Sequence, residues 1–171
     1  LIEQVTVQPG ASLERAARDA RYAVFSALTQ ANEALITGQH RDDQAETLLF
    51  RLLRGAGVRG LSGMPQQRPV GQGTLIRPLL AVTRAELERY AQAHSLSWIE
   101  DPSNQDRQFS RNYLRHQVMP ALSERWPQAQ ANMARSAAHL RDAQGLLDEL
   151  AQMDLAQAGT AHDFEWLGLP S

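Results

Sequence analysis

The sequence contains no cysteine and no lysine among its 171 residues. Without cysteine, the chain can form no disulfide, cysteine-ligated zinc site or iron–sulfur cluster, and it can carry no persulfide or thiolate chemistry. Aromatic residues make up only 6% of the chain, and no stretch approaches the run of about 20 apolar residues typical of a transmembrane helix. These absences are compatible with a cytoplasmic location, because a reducing compartment suits a chain that needs no disulfide.

All 17 basic residues are arginine, and they are unevenly distributed although the formal net charge is only -2. The stretch from Thr47 to Ala85 has six arginines and no acidic residue, and Arg107–Ser123 is a second acid-free stretch. The planar guanidinium group suits bidentate contacts to phosphate. The clustering therefore favours a polyanionic partner, although ordinary solvated surface arginines are the alternative.

The first third of the chain alternates strand-like and helix-like patterns. The predicted elements are an extended Leu1–Val7, a helix from Ser12 to about Ala31, a short buried strand Ala34–Thr37, and a helix from Asp42 or Asp43 to Gly55. Strands that alternate with helices over short links are typical of a parallel sheet covered by helices. We therefore predict an α/β fold.

The rest of the chain is predicted to be less regular until its last helix. The expected elements are a loop Gly55–Gly73, a short strand Leu75–Ile76, a helix that begins at the capping box Thr83-x-x-Glu86 and reaches about His94, a short helix from Ser110 that stops before Pro120, and a long helix Pro127–Ala158. The heptad spacing of Met133, Leu140 and Leu147 predicts that the long helix packs against the body.

The richest polar cluster is His40-Arg41-Asp42-Asp43-Gln44-Ala45-Glu46-Thr47. It is predicted to lie between the carboxyl end of a strand and the start of a helix, where open α/β sheets bind ligands. Asp43 and Glu46, three residues apart, face the same side of the first turn and could hold Mg²⁺ on a nucleotide's phosphates. Alternatively, Asp43-x-x-Glu46 is a capping box that stabilises the helix by about 1 kcal/mol.

Three further patterns bear on binding. Gly55-Ala56-Gly57-Val58-Arg59-Gly60 matches G-x-G-x-x-G, but it follows a helix instead of a strand, so we reject a dinucleotide-binding motif. Arg18, Arg21, Tyr22 and Phe25 share one helix face, which is either an ordinary surface or a place for phosphates and stacked bases. Arg111, Asn112 and Arg115 lie near one face of a predicted helix, where their long donors suit a phosphate.

Several motifs occur together in one order along the chain. They are Gly38-Gln39-His40-x-x-Asp43-Gln44-Ala45-Glu46-Thr47, Arg51-x-x-Arg54-Gly55-x-Gly57-x-x-Gly60, Ile76-Arg77-Pro78-Leu79-Leu80, Trp98-x-Glu100-Asp101-x-Ser103-Asn104 and Arg111-Asn112-x-x-Arg115. This series, from about Ser12 to Leu150, resembles the tRNA(Ile)-lysidine synthases, which belong to the PP-loop ATP pyrophosphatases.

The resemblance implies an enzyme that uses ATP and Mg²⁺ to adenylate the C2 oxygen of the wobble cytidine in a tRNA(Ile) with a CAU anticodon. Free lysine then displaces AMP and gives lysidine. The resemblance places Asp43 and Glu46 in the nucleotide and metal site, Arg18 in substrate binding and Arg111 beside the activated cytidine.

Together with the residue patterns, the resemblance gives a complete set of predicted site residues. These are Asp43, Arg18 and Arg111 as catalytic residues; His40, Asp43 and Glu46 as nucleotide-binding residues, with Mg²⁺ on Asp43 and Glu46; and Arg51, Arg54, Arg59, Arg77, Asn112 and Arg115 as tRNA-binding residues.

The family's Ser-Gly-Gly-x-Asp-Ser loop for ATP is not in this sequence and is expected before Leu1. We therefore expect residues 1–122 to be a truncated PP-loop domain, residues 123–171 to begin a following helical domain, and the chain alone to be inactive. A non-catalytic tRNA-binding module is an alternative, favoured by the missing loop and the arginine clusters. A PP-loop tRNA thiolase is disfavoured, because those enzymes handle sulfur with cysteine.

Overall fold

The computed structural model describes residues 13–101, 104, 106 and 109–158. The predicted strand Leu1–Val7 and the predicted helix cap Ser12 lie outside these residues. The elements are α1 (Leu13–Leu28), β1 (Ala34–Ile36), α2 (Arg41–Leu52), α3 (Val58–Leu61), β2 (Gln67–Val70), β3 (Gly73–Ile76), α4 (Arg84–Ala93), α5 (Ser110–Tyr113), a π-helical turn (Leu114–Val118), α6 (Met119–Arg125) and α7 (Ala129–Ala158). No helix in this part of the chain combines the length and the apolar character needed to cross a membrane.

The three described strands form one sheet in the order β1-β3-β2. β1 runs parallel to β3, with Leu35 opposite Leu75, whereas β2 and β3 form an antiparallel hairpin. Gly71 turns this hairpin with a φ of +54°, and a Cβ there would collide with the carbonyl oxygen of Ser26. The α/β class is confirmed, but the described sheet is mixed, not wholly parallel.

Two predictions about the strands are wrong. The predicted loop Gly55–Gly73 contains α3 and β2, and β2 accommodates Pro69 because it is paired on one side only within the described sheet. The predicted buried strand exists as β1, but it is not buried throughout, since Ile36 is 67% exposed. The central strand β3 carries Leu75, which is completely buried.

The helices pack as predicted only in part. α7 lies along α2 and α3 and buries Ala137 completely, but Leu147 and Leu150 are about half exposed, so only its first half packs against the body. On α2 the predicted apolar stripe is buried at Ala45 and exposed at Leu52. The Thr83–Glu86 capping box of α4 is confirmed.

The helical segment after Ser110 is longer than predicted. Pro120 lies in the first turn of α6, where a helix tolerates a residue without a backbone N–H. The chain therefore continues from α5 through the π-helical turn into α6. The fold thereby brings α5 against α2.

Candidate active site

The start of α2 is fixed by His40. His40 is the N-cap, and its backbone N–H donates to Asp43 Oδ2 at 2.9 Å. Asp43 is therefore the third residue of the helix and forms the capping box with His40. The predicted capping box, which paired Asp43 with Glu46, is wrong. Glu46 is left free to make other contacts.

Two arginines cover the carboxylates of α2. Arg115 donates from Nε to Glu46 Oε1 at 2.7 Å and from Nη2 to Glu46 Oε2 at 2.9 Å and Asp43 Oδ1 at 3.1 Å. Arg111 donates from Nε to Glu46 Oε2 at 3.1 Å, and its Nη2 lies 3.4 Å from Thr47 Oγ1. We call Asp43, Glu46, Arg111 and Arg115 the arginine–carboxylate cluster.

Burial in the cluster differs between the acids and the bases. The side chain of Glu46 is 4% exposed and that of Asp43 12%, whereas those of Arg115 and Arg111 are 23% and 36% exposed. Burial alone would lower the pKa of Arg115, but the hydrogen bond and charge of Glu46, with the charge of Asp43, outweigh it and raise that pKa. The cluster thus presents permanently charged guanidinium groups above buried acids.

Magnesium does not fit between Asp43 and Glu46 in this arrangement. Mg²⁺ needs free oxygen ligands in octahedral geometry. Three of the four carboxylate oxygens contact arginine, and Asp43 Oδ2 accepts the backbone N–H of His40. Over the described ranges, no three His, Cys, Asp or Glu side chains are grouped to hold a metal ion.

A cavity of about 620 Å³ adjoins the cluster. His40, Arg84, Trp98, Glu100, Arg115 and His116 are among the residues that line it. Its size suits a small-molecule ligand. In the loop before α2, the buried atoms Thr37 Oγ1 and Gln39 Oε1 have no hydrogen-bond partner among the described residues, as is common where a ligand completes a site.

Residues that the sequence reasoning did not assign to the site also shape this cavity. Asp42 Oδ2 accepts the backbone N–H of Arg84 at 2.9 Å, which ties the start of α4 to the start of α2. No local pattern links these residues, which are 42 positions apart, so sequence reasoning had no signal for them. Trp98, part of the motif that carries the family resemblance, is 54% exposed and lines the same cavity.

Asp42 makes this connection sensitive to acid. Burial would raise its pKa, but hydrogen bonds from His40 and from the Arg84 backbone outweigh burial and lower it below the ordinary 3.8. Because the lowered pKa belongs to the folded state, the stabilisation is fully present above pH 3.8 and is lost as the pH falls through the lower value. As the pH falls below 3.8, the free energy of unfolding should decrease less in Asp42→Asn than in the wild type, which urea denaturation at several pH values measures. An equal loss in both proteins would contradict the assignment.

The predicted binding residues are only partly brought together. Burial, and then the charges of Arg18 and Arg111, lower the pKa of Arg51. Asn112 instead donates to the carbonyl oxygen of Asp106 at 2.8 Å and orders the chain before α5.

Two predicted tRNA-binding arginines are used within the fold. Arg51 donates to the carbonyl oxygens of Gly60 and Gly63 at 2.7 and 3.0 Å. Arg77 is only 4% exposed and donates to the carbonyl oxygen of Pro65 at 2.8 Å. Because its guanidinium is enclosed, Arg77 is not part of the surface, contrary to its predicted role in tRNA binding.

Arg54 and Arg59 remain at the surface. The guanidinium of Arg54 lies 5.2 Å from the centre of the Phe50 ring. Arg59 has an 81% exposed side chain and lies 3.4 Å from Asp148 of α7. Exposed pairs of this kind contribute little to stability and leave the arginine accessible.

Comparisons with known proteins show the family of the chain. The family model for the PP-loop domain matches residues 2–122. The chain is similar to proteins named tRNA(Ile)-lysidine synthase from Pseudomonas fluorescens (78% identical over 99% of this chain and 38% of the relative), Pseudomonas putida (66% over 98% and 39%) and Coxiella burnetii (53% over 90% and 34%). It thus spans about two fifths or less of the length of these curated relatives. Because the domain match covers more than half of its residues, the chain belongs to the PP-loop domain family.

Proposed function

We propose that this chain takes part in ATP-dependent lysidine formation on a tRNA(Ile) with a CAU anticodon. In this reaction the C2 oxygen of the wobble cytidine attacks the α-phosphate of ATP and releases pyrophosphate. The ε-amine of free lysine then attacks C2, AMP leaves with the oxygen, and the amine loses a proton. The names of the relatives and the PP-loop match support this proposal.

The observation that carries the proposal is the arginine–carboxylate cluster beside the cavity. Both chemical steps place negative charge on phosphate oxygens, which fixed cationic donors stabilise. Arg111 and Arg115 are such donors, because Asp43 and Glu46 hold them in place while both arginine side chains stay partly exposed. We assign Arg111 and Arg115 to phosphate contacts, and Asp43 and Glu46 to positioning these arginines.

The other predicted residues receive roles according to their positions. Arg18 is assigned to phosphate charge because its own charge, like that of Arg111, lowers the pKa of Arg51, and His40 lines the cavity where the nucleotide would bind. Arg54 and Arg59 are exposed and suit the RNA backbone. No step is assigned to a magnesium ion, because the carboxylate oxygens are already in contact with protein donors.

The proposed division into residues 1–122 and 123–171 is supported by two observations. The family match ends at residue 122. The second half of α7 carries exposed leucines, although its first half packs on α2 and α3 of the PP-loop part.

RNA binding tests the proposed role of the cluster. An anticodon stem–loop RNA with CAU should bind the chain more weakly as salt rises, because phosphate contacts release counterions. Arg115→Met should weaken binding about tenfold or more, since a lost charged hydrogen bond is equivalent to about 1.5–3 kcal/mol. Arg135→Met on α7, where Arg135 donates a hydrogen bond to Asn132 of the same helix, is the matched control.

Two results would count against this assignment. Affinity that does not depend on salt would argue against phosphate contacts, and equal affinity of the Arg115 and Arg135 variants would remove the cluster from the binding surface. Arg111→Lys keeps the charge without the planar fork and separates charge from geometry, while thermal melting checks that each variant is folded.

A non-catalytic RNA-binding module is the second candidate, favoured by the exposed Arg54 and Arg59. Because the chain alone is expected to be inactive, pyrophosphate release in the presence of the RNA, ATP and lysine separates the two candidates when it is measured with the full-length protein that contains this chain. Release would support the ligase, and tight RNA binding without release would support the module.

A further inference from the structure

A second concave surface lies one helical turn from the arginine–carboxylate cluster. It is a groove of about 590 Å³ between the end of α2 and the segment that begins with α5. Phe50, Leu53, Arg54, Tyr113, Leu114 and Val118 line most of it. Leu53 is 67% exposed and Tyr113 53% exposed, so large apolar side chains face solvent here. Exposed apolar patches beside a polar site are typical of binding surfaces.

The groove combines aromatic rings with a free cation. The guanidinium of Arg54 lies 5.2 Å from the centre of the Phe50 ring, and no described acidic side chain pairs with it. None of the residues that line the groove is acidic. Aromatic side chains beside arginine are the usual means of binding unpaired nucleobases, since the base stacks on a ring while the cation contacts phosphate.

The groove is continuous with the cluster along both of its helical walls. On α2, Phe50 follows Glu46 by four residues, which is just over one turn or about 6 Å along the axis. On the segment that begins with α5, Leu114 lines the groove and follows Arg111 by three residues, so the two residues lie on the same side of the helix. An RNA strand that contacts Arg111 with one phosphate would therefore reach the groove with the adjacent nucleotide.

We propose that this groove binds the base of a nucleotide adjacent to the one held at the arginine–carboxylate cluster, by stacking on Tyr113 and Phe50 with Arg54 on the phosphate. The inference rests on the proposed function, because it needs single-stranded RNA at the cluster. The groove's volume suits one or two bases and is small for a packed helix of another protein. Arg54 forms no ion pair with an acidic residue of the described ranges, and its charge favours a polyanion over an apolar polypeptide segment.

The test uses the 171-residue chain and two anticodon stem–loop RNAs that carry the fluorescent base 2-aminopurine on either side of the wobble cytidine. One RNA replaces the adenine of CAU, and the other replaces the nucleotide before the cytidine. Stacking on Tyr113 should quench the fluorescence of one of the two RNAs upon binding. Tyr113→Ala should abolish that quenching and weaken binding about 5- to 100-fold, whereas Tyr113→Phe should retain both.

Tyr90→Ala is the matched control. Tyr90 is 61% exposed on α4 and packs on His94, with 4.3 Å between the ring centres. It does not line the groove, so its loss should leave quenching and affinity unchanged. Thermal melting checks the fold of each variant. If Tyr113→Ala is unfolded, the quenching by the wild type and by Tyr113→Phe decides the question.

The outcomes separate this inference from the proposed function. If the RNA binds and Arg115→Met weakens it, but no quenching occurs or Tyr113→Ala binds normally, the groove proposal is overturned and the proposed function stands. If no RNA binds at all, both fail. If the chain self-associates at higher concentration and Tyr113→Ala prevents this, a second copy covers the groove, and the proposal is likewise overturned.

Discussion

Glu46→Ala should lower the free energy of unfolding by about 2–4 kcal/mol, measured by urea denaturation. Removing one partner of a buried ion pair typically costs about 3–5 kcal/mol, because the remaining charge stays desolvated. Here the remaining charges belong to Arg111 and Arg115, whose side chains are 36% and 23% exposed, so water can hydrate them in part. The expected loss is therefore somewhat below that of a fully enclosed pair. Glu46→Gln should lie between the wild type and the alanine variant.

Glu88 provides the control for this measurement. Its carboxylate lies 2.7 Å from the Nε of Arg84, as close as any pair in the cluster, but its side chain is 46% exposed. Glu88→Ala should change the unfolding free energy by less than about 1 kcal/mol. Equal losses at Glu46 and Glu88 would show that the cluster behaves as an ordinary surface pair.

Glu46→Ala also distinguishes ion pairing with arginine from metal binding at Glu46. If the carboxylates hold arginine, magnesium chloride should raise the melting temperature no more than sodium chloride at equal ionic strength. A rise specific to magnesium that disappears in Glu46→Ala would show that the ion displaces an arginine from the carboxylates.

The sequence predicts the elements of this site better than its contacts. A strand, a Gly38 break and an acidic first turn locate the start of α2, and four-residue spacing places Arg111 and Arg115 on one face. The pairing of these arginines with Glu46 spans 65 and 69 residues. No local periodicity encodes such a pairing, so the acids were interpreted as metal ligands.

The different environments of three arginines could not be predicted from the sequence either. Arg51, Arg54 and Arg77 all lie in one acid-free stretch and have the same chemistry in the sequence. In the structure Arg51 and Arg77 donate to backbone carbonyl oxygens, whereas Arg54 faces solvent over Phe50. The difference depends on which loops fold back onto α2 and β3, and composition carries no information on that.

Strand β2 was not predicted, because it too depends on a contact with another segment. Its four residues Gln67–Val70 include a proline and show no strict alternation, and only the antiparallel pairing with β3 makes them a strand. By contrast, the helix boundaries with local signals, such as Thr83 and Glu86 at the start of α4, agree with the prediction.

The segment Gly60–Met64 connects the site to α7 through side chains that donate to its backbone. Gln44 accepts the N–H of Met64 and donates to its carbonyl oxygen, each at 2.7 Å. Arg51 donates to the carbonyl oxygens of Gly60 and Gly63. Arg141 of α7 donates to those of Ser62 and Met64, and all four distances lie between 2.7 and 3.0 Å. Because Gln44 and Arg51 lie on α2 with Glu46, this segment holds the site helix and α7 in one arrangement.

Gly63→Ala should disrupt that arrangement and lower the free energy of unfolding by about 2–4 kcal/mol, from the strain of a side chain at positive φ and from overpacking. Gly63 has a φ of +68°, and a Cβ there would lie 2.7 Å from Gln44 Oε1 and 3.1 Å from the Cβ of Ala137. Gly145→Ala, in the same helix as Ala137 and with no atom near its added Cβ, should instead stabilise the chain by up to about 1 kcal/mol. Thermal and urea unfolding of both variants measures the contrast. If both alanines stabilise the protein, the Gly60–Met64 segment is not held against α2 and α7, and only the direct packing of α7 along α2 would fix the position of Glu46 and its arginines.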